Sequence, residues 1–143
     1  MKRVLALLKN IPANEIPVGA IIVKDGEIIA SAHNLKETLN DVTAHAEILA
    51  IREAERRLAN WRLEGCELYV NLEPCPMCAT AIINSRISAV YFGSYDTQFG
   101  ALGSAMDMRK IYNSQLKVYG GIMENECDEI LKRYFARMRG ENA

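Results

Sequence analysis

The chain has 143 residues, of which 50% are hydrophobic and 24% charged, with a formal net charge of −1 at pH 7. That length and hydrophobic share fit one packed domain over residues 1–143, and a field with no positive excess offers nucleic acid no general attraction, so any such contact must be local. No run approaches the roughly 18 consecutive apolar residues of a membrane span, and the apolar stretch 4–8 behind Met1-Lys2-Arg3 is too short for a secretory signal.

In chain order, residues 2–10 are expected as a short helix with Val4, Leu5, Leu7 and Leu8 on its apolar side, stopped near Pro12. Residues 18–23 form a buried-strand run, Lys24-Asp25-Gly26-Glu27 a turn, and residues 28–32 the second strand of a hairpin. After the polar stretch 33–41, Thr43 is the expected N-cap of a helix reaching about Leu58, with Ile48, Ala50 and Ile51 facing inward. Residues 66–72 are the third strand. Pro76 suits the first turn of the next helix, because it lacks the amide proton that has no partner there, and this helix runs toward Arg86. Residues 87–93 are the fourth strand, and the Gly-rich loop 100–103 leads to a short helix near 104–112. A fifth strand at 115–120 and a final helix from 123 to about 139 complete an open mixed sheet between helices. No repeat, low-complexity tract or Gly/Ser linker interrupts this order.

The strongest chemical signal is His45-Ala46-Glu47 together with Pro74-Cys75-Pro76-Met77-Cys78. Zinc favours nitrogen and sulfur donors in a tetrahedral array, and a catalytic site uses three protein ligands with water as the fourth. One histidine and two cysteines make up that count. Both groups fall at predicted helix starts, where the positive end of the helix favours thiolate and prepares Cys75 and Cys78 for metal. Glu47 does not share a helix face with His45, but a first turn presented end-on brings both side chains into one pocket, His45 to the ion and Glu47 to its water. Other readings stay open: a Cys-x-x-Cys redox pair, half of a structural zinc knot, or a closed structural site with His33 as fourth ligand, against a plain loop role for His33. Cys66 and Cys127 read as small core residues, and cysteine usage of this kind is that of a cytoplasmic protein and not of a disulfide framework.

The same residues extend into a longer match. Glu15-Ile16-Pro17-Val18-Gly19-Ala20, Asn34, Thr43-Ala44-His45-Ala46-Glu47, Leu72-Glu73-Pro74-Cys75-Pro76-Met77-Cys78, Ile83-Asn84-Ser85-Arg86-Ile87 and Gly100-Ala101-Leu102-Gly103-Ser104 together resemble the bacterial tRNA-specific adenosine deaminases, over about residues 4–139. The resemblance implies the three-layer α/β/α fold of the cytidine deaminase-like superfamily, with a mixed five-stranded sheet and helices on both faces. It implies one Zn²⁺ per subunit on His45, Cys75 and Cys78, and Glu47 as proton shuttle. Asn34 would bond the flipped base, Ile16 and Leu72 would wall the pocket beside Ala46, Asp96 would meet the nucleotide backbone, and Phe135 would touch substrate. Hydroxide would attack C6 of a wobble adenosine in the anticodon loop of a transfer RNA, expel ammonia and leave inosine, in a homodimer.

The final helix carries Lys132, Arg133, Arg137 and Arg139 around Tyr134-Phe135, which suits loop phosphates and base stacking. The acids Glu124, Glu126, Asp128 and Glu129 open the same helix, so the ordering equally complements its dipole. The segment before Glu15 and the loop 108–114 are shorter than is common in the family, and Ala136 stands where an arginine is frequent. These departures touch the grip on RNA and leave the metal chemistry intact. Two rivals keep the same zinc set: a free-base or free-nucleoside deaminase with another pocket, and a zinc-stabilised binding module without catalysis. Asn34 and the Asn84-Ser85-Arg86 run favour the RNA enzyme over the first, and Glu47, which metal binding alone does not need, argues against the second.

Overall fold

The structure is a computed structural model describing residues 1–140. Its elements follow the expected order: α1 (Lys2–Leu7, continued by a 3₁₀ turn at Leu8–Asn10), β1 (Gly19–Lys24), β2 (Glu27–His33), α2 (Ala46–Leu58), β3 (Cys66–Leu72), α3 (Pro76–Asn84), β4 (Ala89–Ser94), α4 (Met108–Tyr112), β5 (Lys117–Tyr119) and α5 (Glu124–Met138). The strands form one sheet in the order β2-β1-β3-β4-β5. β1 runs antiparallel to both β2 and β3, whereas β3, β4 and β5 are mutually parallel, which makes the sheet mixed. The β1–β2 hairpin closes on Asp25 (φ 51°) and Gly26 (φ 78°), both in the left-handed region that a two-residue hairpin loop demands.

Alternation along the strands assigns the two faces. Ala20, Ile22, Leu68, Val70, Val90 and Phe92 join Ala50, Ala54, Ala79 and Ile82 of α2 and α3 in the main core. On the other face, Gly19 lies under Leu8 and Val4 of α1, and Gly93 lies under Cys127 of α5. The approach at Gly93 is so close that a Cβ there would sit 2.2 Å from the Cys127 sulfur. Cys66 and Cys127 are fully buried, as expected of core residues.

Two helices are shorter than their sequence suggests. Thr43 does not cap α2; its N–H and hydroxyl both donate to Asp41 Oδ1, at 2.9 and 2.8 Å, and close a turn of their own. The extended residue before the helix is therefore His45 (φ −73°, ψ 152°). The helix expected near 104–112 is confined to α4, because Asp107 caps it by accepting from the Arg109 N–H. Residues 100–106 are instead wrapped around a buried carboxylate, Glu73. Among the described residues no helix is long and apolar enough to cross a membrane.

Candidate active site

Parallel strands carry their sites at their carboxyl ends, and here β3 ends at Leu72 and β4 at Ser94. The residue immediately before α3 is Cys75, with Pro76 in the first turn, and the residue immediately before α2 is His45. Both helices lie on one face of the sheet, so their N-termini meet. His45, Cys75 and Cys78 bring their ligand atoms within 4.8 Å of one another. His45 Nδ1 is 3.7 Å from the Cys75 sulfur and 3.4 Å from that of Cys78. Tetrahedral zinc with its usual Zn–S and Zn–N bonds requires an S···N separation of roughly 3.6 Å. The donor set therefore fits zinc in kind and in spacing. His33 is not in this cluster; its Nδ1 lies 3.1 Å from the neighbouring Asn34 carbonyl oxygen.

Charge at the site is shared out by contact. Cys75 is held down to about 4, first by the hydrogen bond it accepts from the Cys78 thiol and, against the opposing effect of burial, by His45. The same bond, together with burial, pushes the Cys78 thiol upward. The Cys75 contact raises His45 above its ordinary value. Loading the site with metal must displace these protons, so zinc affinity falls with acidification. Glu47, 4% exposed in the first turn of α2, is pushed up to about 7 by burial, with the Cys75 charge acting in the same direction. A carboxyl poised near neutrality is suited both to accept and to donate a proton.

A pocket of about 370 Å³ opens on this cluster, lined by His45, Ala46, Glu47 and Cys75 together with Ile16, Asn34, Leu72 and Asp96. Cys78 is fully buried beneath it. Asn34 is held by the backbone: its Oδ1 accepts from the Lys36 N–H at 3.2 Å and its Nδ2 donates to the Ile16 carbonyl at 3.4 Å. That leaves one N–H and one lone pair for a ligand. Phe135 does not line this pocket but an adjoining groove of about 870 Å³, which shares Ile16, Leu72, Asp96 and Phe99 with it. Of the basic residues of α5, Arg133 is paired to Glu129 and Arg137 donates to the Ala13 carbonyl, while Lys132 and Arg139 line the groove.

Sequence reasoning missed Val18, Lys36, Glu73 and Phe99, which also line the pocket. Glu73 is 2% exposed, and its carboxylate accepts from the N–H groups of Asp96 (3.2 Å), Leu102 (3.1 Å) and Ser104 (3.1 Å) and from the Ser104 hydroxyl (2.5 Å). Gly100 is required against it, since a Cβ there would lie 2.4 Å from the Glu73 carboxyl carbon. Asp96 Oδ1 in turn accepts from the N–H groups of Gln98 and Phe99, both at 3.0 Å, which sets Phe99 at the pocket mouth. A charged residue between Leu72 and Pro74 was the available signal for Glu73; Lys36 and Phe99 lie in stretches with no period to read.

A histidine and two cysteines held at two helix ends, with a buried carboxyl poised to exchange protons beside them, define the class of the zinc-dependent deaminases. The family model described as the cytidine and deoxycytidylate deaminase zinc-binding region matches residues 1–94. A tRNA-specific adenosine deaminase of Bacillus subtilis is 48% identical over 127 residues, covering 87% of this chain and 79% of its own. A solved structure from work on A-to-I editing by tRNA:A34 deaminases superposes with a TM-score of 0.77 at 42% identity, covering 89% of this chain and 98% of that one. A guanine deaminase from Nitrosomonas europaea has a TM-score of 0.81 at 27% identity over 94% of this chain and 82% of its own. Within that class, the chain belongs to the tRNA-specific adenosine deaminase family.

Proposed function

We propose that this protein hydrolyses the wobble adenosine of a transfer RNA anticodon loop to inosine. The reading is carried by the continuity of the metal pocket with the larger groove, because a free base needs no such extension and a nucleotide within a chain does. An anticodon loop is single-stranded, so turning one base outward costs little. His45, Cys75 and Cys78 hold zinc, which when bound supplies the Lewis acidity that brings a water pKa from about 15.7 toward about 7.

The remaining work falls to the chain. Asn34 meets the edge of the inserted base with its free N–H and lone pair, and Ile16, Ala46 and Leu72 enclose the ring and exclude bulk water. Glu47 takes a proton from the attacking water and delivers it to the departing amine. Oxygen adds at C6, the C6–N6 bond breaks, and ammonia leaves. Asp96 and Phe135 hold the flanking backbone and base. The protein acts in the cytoplasm, where reducing conditions keep Cys75 and Cys78 available to metal. It assembles as a homodimer, for which Met106, Ile111 and Tyr112, exposed by 42%, 71% and 44%, offer an apolar surface around α4.

The test is inosine mapping and ammonia release from an anticodon stem-loop with A at the wobble position, using zinc-loaded protein. Turnover is expected. Glu47→Gln should retain zinc and lose at least about 10²- to 10⁴-fold in kcat. Activity on free guanine or cytidine with none on the RNA would move the protein to the free-base deaminases, and full turnover by Glu47→Gln would remove the shuttle.

A further inference from the structure

The groove beside the metal pocket contains an acid that the reaction does not use. Asp128 lies in α5, five residues into the helix, beyond the first turn where Glu124 and Glu126 already complement the helix dipole. It lines the groove, and its Oδ1 accepts from the hydroxyl of buried Ser94 at 2.5 Å. Ser94 ends β4, and its carbonyl accepts from the Glu73 N–H at 2.9 Å, so the carboxylate is tied to the frame that sets the site. Asp128 Oδ2 receives no hydrogen bond among the described residues. A fixed anion in a groove for RNA repels phosphate, so Asp128 does not bind the phosphates themselves, and its partner is a hydrogen-bond donor. RNA offers a carboxylate ribose hydroxyls and base N–H groups, and of these the exocyclic amine is the donor that cytosine carries and uracil replaces with a carbonyl.

Resting on the function argued above, we propose that Asp128 is a specificity-determining residue. It accepts from the exocyclic amine of the nucleobase next to the target, selecting a base that carries an amine, such as cytosine, over uracil. Phe99 and Phe135, exposed by 56% and 43%, stand in the same groove as faces on which that base stacks. Lys132, one turn beyond Asp128, lines it too and supplies the cation for the phosphate. Uracil places a carbonyl oxygen where cytosine places its amine, and that oxygen would confront the free carboxylate oxygen. Ser94 acts through Asp128 by holding its orientation, and is a positioning residue.

The test compares stem-loops that differ only in the base on either side of the target, C against U. Both kcat/KM of the native protein and the Kd of Glu47→Gln for the same loops are measured. At one flanking position the native protein is expected to favour C by roughly tenfold, mainly in KM. Asp128→Asn, whose amide donates as well as accepts, should bring the two loops to within about twofold while keeping zinc content and circular dichroism. Ser94→Ala should narrow the preference partway. Equal treatment of C and U by the native protein, or a proportional loss on both loops in Asp128→Asn, would overturn the assignment and leave Asp128 as a pin between α5 and β4. Absence of inosine from every loop would instead overturn the functional reading itself.

Discussion

Single side chains in this protein act mainly by satisfying backbone groups of distant loops. Glu15 is 1% exposed, and its two oxygens accept from the N–H groups of Glu37 at 3.0 Å and Thr38 at 2.7 Å, which anchors the loop that leads away from Asn34. Burial works to raise its pKa, but the bonds from Thr38 and Glu37 prevail and hold it below the ordinary value. A carboxyl with a depressed folded pKa contributes stability above its unfolded pKa of about 4.3, and that contribution is lost as pH falls through the lower folded value. Urea midpoints should therefore decline as pH drops below about 4.3, and Glu15→Gln should flatten that decline. At pH 7 the same substitution should cost about 1–3 kcal/mol, since one carbonyl oxygen cannot meet both donors as an ionised carboxylate does. An unchanged acid limb in Glu15→Gln would assign the pH dependence elsewhere.

At the level of elements, the packing of α5 on β4 depends on the absence of a side chain. A Cβ on Gly93 would meet the Cys127 sulfur at 2.2 Å, its Cβ at 2.8 Å and the Asn71 carbonyl oxygen at 2.9 Å. Gly93→Ala should destabilise by about 1–3 kcal/mol and displace α5, with Asp128 and Phe135 on it. Cys127→Ala in the same chain should recover part of that loss, because it removes the nearest atom and leaves the carbonyl clash. Thermal and urea unfolding of the two single variants and the double variant measure this coupling; strict additivity would mean that the helix is held by other contacts. The anchoring shapes the groove beside the metal pocket, because α5 supplies one wall of it and the end of β4 and the loop after it, through Ser94 and Asp96, supply another. Asn71 braces the opposite side, accepting from the Gly19 N–H at 2.8 Å and donating to the Pro17 carbonyl at 2.9 Å, which fixes the segment carrying Ile16 and Val18.

For the whole molecule, the remaining exposed apolar surface around α4 sets the expectation for assembly. Ile111 is 71% exposed on a five-residue helix, a poor arrangement for a free monomer and a good one for a second copy. Sedimentation should give twice the chain mass, and Ile111→Glu should give the monomer; a native monomer at micromolar concentration would refute the assembly. Much of this architecture is written locally. The strand 66–72, the Asp25-Gly26 turn, Pro76 at a helix start and the acid-to-base order of α5 follow from residue size, ring constraint and period. The histidine and the two cysteines declare a metal-binding set by type and spacing alone, and the structure brings their ligand atoms together. The order of the sheet, the start of α2 immediately after His45 and the convergence of two helix ends on one point were decided only by the tertiary structure. So were the burial of Glu73 inside the loop 96–104 and the bond from Ser94 to Asp128. Each of these joins residues with no shared period, through contacts whose free energy exists only once the chain has closed on itself, and such contacts leave no local mark to read.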